Sequence, residues 1–156
     1  MRSILIATDG STGSDVAVAA GLELARESGA DVTYVYVREP ITALGEPFYQ
    51  ETLTAQQHAA REALDSARSA GESMGILGET EIMEGQPAHE ILALAKARDV
   101  DMIVVGSRGL GALAGALLGS TSSAVVRGAD RPVLVVKEGA GAQGGSERGE
   151  ERVSAP

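Results

Sequence analysis

The sequence contains no cysteine and no tryptophan, and its aromatic residues are three tyrosines and one phenylalanine. Without cysteine, the chain has no disulfide, no thiolate metal site and no cysteine nucleophile. Because aromatic residues are so few, the core has to be built from Val, Ile, Leu and Ala. That composition favours layered α/β packing.

Positive charge is also scarce, with 13 Lys and Arg against 22 Asp and Glu, a formal net charge of −9 and a pI near 4.7. Nucleic acids and anionic membranes are therefore poor partners, since both need a basic surface. No apolar run approaches membrane-spanning length. The first apolar run is cut short by Thr8, Asp9 and Gly10, unlike a signal peptide, so we expect a cytoplasmic protein.

The length of 156 residues suits one domain with a sizeable core. We assign this domain to residues 1–137. From Glu138 onward the composition changes to Gly, Ala, Ser, Glu and Arg with no hydrophobic pattern. Residues 138–156 are therefore predicted to form a disordered tail.

Short apolar runs alternate with helical patterns along the domain. Strands are predicted at 3–7, 31–37, 79–83, 102–105 and 132–136, and the more polar third strand suits a sheet edge. The first predicted helix has Ser11 or Ser14 as its N-cap. The second follows a loop at 38–50 and has Thr52 or Thr54 as its cap. The third is predicted to begin at Pro87 and the fourth at Ser120. This alternation predicts a parallel sheet with helices on both faces.

A glycine-bearing segment follows the fourth predicted strand. Gly106 and Gly109 come directly after it, and Gly119 precedes four small hydroxyl residues at 120–123. Glycines let backbone N–H groups approach an anion, and a helix N-terminus adds unpaired N–H donors and a favourable dipole. The segment therefore predicts a phosphate site. In parallel sheets such sites lie beyond the carboxyl ends of the strands, where the strand order reverses.

The spacing Gly106-x-x-Gly109, then nine residues, then Gly119-Ser120 resembles the ATP-binding branch of the universal stress protein family. Asp9-Gly10-Ser11 after the first strand and the terminal run 132–136 strengthen the resemblance. It implies a Rossmann-like domain with a five-stranded parallel sheet in the order 3-2-1-4-5. It also implies a homodimeric nucleotide-binding protein that acts in stress adaptation and signalling more than in metabolic catalysis.

The resemblance also implies the residues of an ATP site. Glycine and serine backbone groups would hold the triphosphate, the Asp9 carboxylate would contact ribose or a phosphate-bound Mg²⁺, and the main chain of Val37 would recognise adenine. Arg108 is a further candidate for a phosphate contact. The full set is Ala7, Thr8, Asp9, Val37, Val105, Gly106, Arg108, Gly109, Gly119, Ser120, Thr121 and Ser122.

Other motifs argue against an enzyme. The sequence has no GxxxxGK[ST] P-loop, and Gly109-Leu110-Gly111 lies too far beyond its strand for a dinucleotide fingerprint. His58 and His89 are expected to be solvated helix residues, so the serines have no histidine relay. We therefore expect an ATP-binding switch or sensor with slow hydrolysis at most, working through an unknown protein partner. The alternatives are a dimeric interaction protein with a vestigial nucleotide site and a phosphoryl- or nucleotidyl-transfer enzyme.

Two features bear on regulation and assembly. Residues 110–118, LGALAGALL, are uncharged, although a basic residue there would offset phosphate charge. This run is expected either to be ordered by nucleotide, as part of a segment from 106 to 121, or to pack as a hydrophobic flap. The last strand, Val133 to Val136, is expected at a sheet edge, where pairing with a second copy would form a homodimer.

Overall fold

The computed structural model describes residues 1–42, 45–109 and 118–139, in which strands and helices alternate. The elements are β1 (Ser3–Ala7), α1 (Thr12–Ser28), β2 (Asp31–Arg38), α2 (Phe48–Ser73), β3 (Gly78–Glu84), α3 (Pro87–Ala97), β4 (Met102–Gly106), α4 (Ser120–Gly128) and β5 (Val133–Val136).

The five strands form one parallel sheet in the order β3-β2-β1-β4-β5, as predicted. β1 and β4 lie inside the sheet and are apolar on both faces. Ile4 and Ile6 pack with α1 and α2 on one face, whereas Leu5 and Ile103 pack with α3 and α4 on the other. The two helical layers therefore bury a continuous sheet, and the predicted α/β class is confirmed.

The ends of α1 match their sequence signals. Ser11 is the N-cap, and its side chain accepts from the Ser14 N–H. Gly29 ends the helix in the left-handed conformation, with a φ of 68°. Of the two candidate caps, Ser11 is therefore the residue used, and Ser14 lies within the first turn.

The predicted start of α2 is wrong. The helix begins at Phe48, with Pro47 in the N-cap position, so neither Thr52 nor Thr54 caps it. The Thr54 hydroxyl instead donates to the carbonyl of Gln50 within the helix, 2.8 Å away. Threonine can satisfy its hydroxyl in this way inside a helix, so a threonine does not by itself mark a helix start.

One tyrosine on β2 fills the space between two glycines. Tyr34 is fully buried, and a Cβ on Gly71 would lie 2.3 Å from its hydroxyl oxygen. A Cβ on Gly78 would lie 2.4 Å from its ring. Within the described part of the chain the hydroxyl has no hydrogen-bond partner. Burial raises the pKa of Tyr34 to about 12.

The two ends of the sheet differ. β3 forms one edge, where its polar side chains are largely exposed, and β5 forms the other. None of the described helices is both long and apolar enough to cross a membrane. The expectations for 110–117 and for most of the C-terminal tail fall outside the described residues.

Candidate functional site

A cavity of about 450 Å³ lies at the carboxyl ends of β1, β2 and β4. Its size is within the range of small-molecule sites. The residues predicted for the nucleotide site all line this one cavity, namely Ala7, Thr8, Asp9, Val37, Val105, Gly106, Arg108, Gly109, Gly119, Ser120, Thr121 and Ser122.

The end of β1 and the residues that follow it line the cavity. The Thr8 N–H donates to the Val35 carbonyl at 3.0 Å, which fixes this strand end against β2. The Thr8 hydroxyl is 3.1 Å from the Ser14 hydroxyl, and Asp9 Oδ1 accepts from the Ser11 N–H at 3.0 Å. These bonds hold the start of α1 and the Asp9 carboxylate in one orientation.

The negative charge of Asp9 also affects the pKa of Tyr36. Burial, reinforced by the negative charge of Asp9, raises the pKa of Tyr36. Tyr36 is one of the residues that line the cavity, and its raised pKa leaves the phenol protonated at neutral pH.

Close backbone packing holds β4 against α1. A Cβ added at Gly106 would lie 2.4 Å from the Gly13 carbonyl oxygen, and one added at Gly13 would lie 2.3 Å from that of Arg108. Both glycines are therefore needed for this approach, whatever binds in the cavity. Gly106 thus has a packing role that the sequence pattern did not indicate.

The N-terminus of α4 faces the cavity from the β4 side. Gly119 is its N-cap and has no side chain to accept from the first N–H groups of the helix. The Gly119 N–H itself donates to the Ser107 carbonyl at 2.6 Å, and the Ser122 hydroxyl donates to the same oxygen at 3.0 Å. The Gly119 amide is therefore engaged within the protein, and an anion would meet the helix amides that begin at Ser120.

The backbone of Val37 forms the β2 side. The Val35 carbonyl accepts from Thr8 of β1, and the Arg38 carbonyl accepts from the Gly85 N–H on the opposite side, next to β3. Because successive residues of a strand turn their backbone groups to opposite sides, Val37 directs its N–H and C=O toward β1. Pairing between β1 and β2 ends at Ala7 and Val35, so the N–H and C=O of Val37 lie beyond the paired region.

Some lining residues were missed from the sequence: Ser14, Val35, Tyr36, Arg38, Glu39, Gln56, Pro87 and Ile91. Arg38 had a usable signal, because it is the last residue of a strand whose carboxyl end was placed at the site. Gln56 had none, since nothing in the pattern of α2 distinguishes it from the exposed Gln57 beside it.

Few side chains in the described part of the chain could hold a metal. Those residues include no cluster of three or more His, Asp or Glu side chains arranged for a metal ion. His58 and His89 are exposed, as predicted. The Asp9 carboxylate lies against Gly109 of the glycine segment, and one carboxylate suits Mg²⁺ that is bound mainly by phosphate and water oxygens.

Comparison with known proteins identifies several relatives. The model of the universal stress protein family matches residues 1–137. A universal stress protein encoded beside the QAH/OAS sulfhydrylase of Thermus aquaticus is 36% identical over 141 residues, covering 87% of this chain and 98% of that protein.

Two solved structures show the same architecture. UspA from Lactobacillus plantarum has a TM-score of 0.78 and 28% identity, covering 86% of this chain and 97% of UspA. A universal stress protein in complex with cAMP has a TM-score of 0.64 and 28% identity, covering 86% of this chain and 96% of its own.

Proposed function

Because this chain belongs to the universal stress protein family, we propose that it binds ATP with Mg²⁺ in the cavity at the carboxyl edge of its sheet. Binding would make it a nucleotide-dependent switch or sensor in the stress response. One observation carries the proposal: a single cavity of about 450 Å³ is lined by backbone groups suited to a base, by a carboxylate and by a helix N-terminus that no described side chain caps.

The phosphates belong at the α4 end of the cavity. There the amides that begin at Ser120 have no capping side chain among the described residues, and the helix dipole favours negative charge. Mg²⁺ would bind to phosphate oxygens beside Asp9 and offset part of their charge. Arg108 lines the same region and is exposed, so its guanidinium adds a positive charge near the phosphates.

The order of the strands then sets the direction of the nucleotide. With phosphates at β4 and α4 and ribose beside Asp9 on β1, the base falls at the end of β2. The N–H and C=O of Val37 provide a donor and an acceptor there, the pair that an adenine edge requires. Binding of cAMP by a solved relative supports an adenine ligand in this family.

We expect at most slow hydrolysis and regard the protein as a regulator, not an enzyme. Within the described lining of the cavity there is no histidine or lysine to act on the γ-phosphate or a water molecule. The rival proposals are a dimeric interaction protein with a vestigial site and a phosphoryl- or nucleotidyl-transfer enzyme. A cytoplasmic location remains a prediction.

We also propose a homodimer that forms through β5. Among the strands of the described residues, β5 pairs with β4 alone and lies at the edge of the sheet. An apolar edge strand readily pairs with another strand, and pairing with a second copy would cover it. A nucleotide-dependent change near α4 would lie close to this interface, where a partner protein could detect it.

Analysis of copurified nucleotide tests the ligand. The purified protein is denatured, and the supernatant is chromatographed against AMP, cAMP and ATP standards. We expect an adenine nucleotide, or a thermal shift when Mg²⁺-ATP is added to the nucleotide-free protein. Absence of both would favour the interaction protein, and turnover well above a slow background would favour the enzyme.

A further inference from the structure

Ser11 links the start of α1 to the Asp9 carboxylate through two hydrogen bonds. The Ser11 hydroxyl donates to Asp9 Oδ1 at 2.5 Å, and the Ser11 N–H donates to the same oxygen at 3.0 Å. Bonds from a hydroxyl to a carboxylate are short and are stronger than bonds between neutral groups. Two donors from one residue therefore hold Asp9 Oδ1.

A second contact of the Ser11 hydroxyl fixes the direction of its bond to Asp9. Ser11 Oγ accepts from the Ser14 N–H at 3.2 Å. A backbone N–H can only donate, and an ionised carboxylate can only accept, so the single hydroxyl proton of Ser11 belongs to the bond with Asp9. One side chain therefore caps α1 and orients Asp9 at the same time.

The orientation of the Asp9 carboxylate makes its two oxygens different. A Cβ placed on Gly109 would lie 2.3 Å from Asp9 Oδ2 but 3.9 Å from Oδ1. Oδ2 is therefore the oxygen on the side of the glycine segment, whereas Oδ1 is bonded to Ser11. Asp9 and Gly109 both line the cavity. Oδ2 thus lies on the side of the cavity that we assign to the phosphates and Mg²⁺.

We propose that Ser11 is a positioning residue for nucleotide binding: its hydroxyl holds Asp9 so that Oδ2 is presented to Mg²⁺-ATP. Ser11 is not among the described residues that line the cavity, so it acts through Asp9 and not by direct contact. This inference rests on the proposed nucleotide function and extends it to a residue behind the cavity wall.

The effect on affinity comes from the orientations that Asp9 can adopt before the ligand binds. Asp9 is only partly buried, so packing alone leaves its side chain room to rotate. Without the Ser11 hydroxyl, binding has to restrict that rotation, and the cost of ordering a side chain weakens affinity. We expect the Kd for Mg²⁺-ATP to rise by about fivefold.

Two substitutions remove the hydroxyl but differ in their effect on the helix. Glycine is a good N-cap and alanine is a poor one, so Ser11→Ala should lose more stability in urea unfolding than Ser11→Gly. Both variants should nevertheless show the same rise in Kd in calorimetry, and Ser11→Thr, which keeps a hydroxyl, should bind as the wild-type protein does. A Kd that follows the stability of the variants would assign Ser11 a capping role only.

Ser28→Gly is the matched control for the loss of a serine hydroxyl from α1. Ser28 is exposed at the opposite end of the helix, where its hydroxyl donates to the Leu24 carbonyl at 2.7 Å. This variant should bind Mg²⁺-ATP with the wild-type Kd.

A double-mutant cycle tests whether Ser11 acts through Asp9. Asp9→Ala should raise the Kd by about tenfold, because it removes a charged contact. Adding Ser11→Gly to Asp9→Ala should change the Kd no further, since no carboxylate remains to be positioned. A further fivefold rise in the double variant would show that Ser11 acts independently of Asp9, and the inference would be wrong.

The outcomes separate this inference from the proposed function. If Ser11→Gly or Ser11→Ala is folded and binds Mg²⁺-ATP as tightly as the wild-type protein, the role of Ser11 is wrong, whereas nucleotide binding stands. If the wild-type protein does not bind Mg²⁺-ATP, both proposals are wrong. Either hydroxyl-free variant is sufficient for the comparison, so the test does not depend on both being folded.

Discussion

The Asp9 carboxylate lies directly against Gly109: a Cβ placed on Gly109 would be 2.3 Å from Asp9 Oδ2. This contact joins the end of β1 to the segment that follows β4. The proposed ribose or metal contact and the proposed phosphate contact therefore share one position, and a change at either residue should disturb the other.

Gly109→Ala should weaken binding of Mg²⁺-ATP. No side chain tolerates a contact of 2.3 Å, so the Asp9 carboxylate has to move from its position beside the start of α1. Loss of one charged contact of this kind corresponds to about a tenfold rise in Kd, measured by calorimetry.

Gly45→Ala is the control for this substitution. A Cβ on Gly45 has no described atom within 4 Å, and the backbone there has an ordinary φ. The control should therefore bind Mg²⁺-ATP as the wild-type protein does. Equal affinities of the Gly109→Ala and wild-type proteins would contradict a role for Asp9 in the site.

Gly119→Asp should separate stability from binding. Gly119 has the extended N-cap conformation, and its Cβ would meet neighbouring atoms only at 3.4 Å or more. An aspartate there can cap α4 and should leave the free energy of unfolding unchanged or higher by up to about 1 kcal/mol. Its carboxylate would occupy the amides proposed for the phosphates, so the Kd for ATP should rise more than about tenfold.

Gly119→Ala is the comparison, because it adds the Cβ without charge or capping. Denaturant unfolding and calorimetry are measured on both variants. If the aspartate variant is folded and binds ATP as tightly as the alanine variant, phosphate does not bind at the N-terminus of α4.

The raised pKa of Tyr34 predicts a loss of stability at alkaline pH. Its pKa is about 12 in the folded protein and about 10 in the unfolded chain. The unfolded chain therefore loses this proton first, so the stabilisation is complete below pH 10 and disappears as the pH rises toward 12. The free energy of unfolding should fall over this window by about 1–3 kcal/mol. Tyr36, whose pKa is also raised, acts in the same direction.

Tyr34→Phe isolates this contribution. The Tyr34 hydroxyl has no partner in the described structure, so its removal should cost little stability at neutral pH. Urea unfolding at about pH 8 and about pH 11 should show a smaller decline for the variant than for the wild-type protein. Identical declines would assign the alkaline loss to other groups.

Val135→Pro should disrupt the proposed dimer without disrupting the sheet. The Pro132 carbonyl accepts from Ile103 of β4, and the Val136 carbonyl accepts from Ser107 directly after β4, so Val133 and Val135 direct their backbone groups away from β4. Proline at 135 removes an outward N–H only. Sedimentation should show a dimer for the wild-type protein and a monomer for the variant, each with native circular dichroism.

Leu134→Pro serves as the contrast, because its N–H faces β4 and its loss should destabilise the fold itself. A Val135→Pro variant that remains dimeric would place the interface elsewhere on the molecule.

The sequence was most informative where a local pattern determines the structure. Uninterrupted apolar runs such as Ile4-Leu5-Ile6 need burial on both faces, which only a covered parallel sheet provides. The site followed from the same reasoning, since parallel strands bring their carboxyl ends to one edge. Asp9 and Gly109, which lie far apart in the sequence, could be placed together on that basis.

The sequence was least informative where contacts between distant segments determine the structure. Arg38 and Gln56 line the same cavity because α2 crosses the face of the sheet beside β2, a placement that no local pattern encodes. Gly106 suggested an anion contact, yet its missing side chain is also required by the Gly13 carbonyl. A glycine that close packing requires and a glycine that ligand approach requires look the same in a sequence.

The central claim is that this cavity binds an adenine nucleotide, and titration of nucleotide-free protein with Mg²⁺-ATP tests it most directly. We predict saturable binding of one ATP per chain in calorimetry, with much weaker binding of Mg²⁺-GTP and of ATP to Gly119→Asp. Absence of any heat or thermal shift with Mg²⁺-ATP, AMP and cAMP, in protein shown to be folded and free of copurified nucleotide, would contradict the claim.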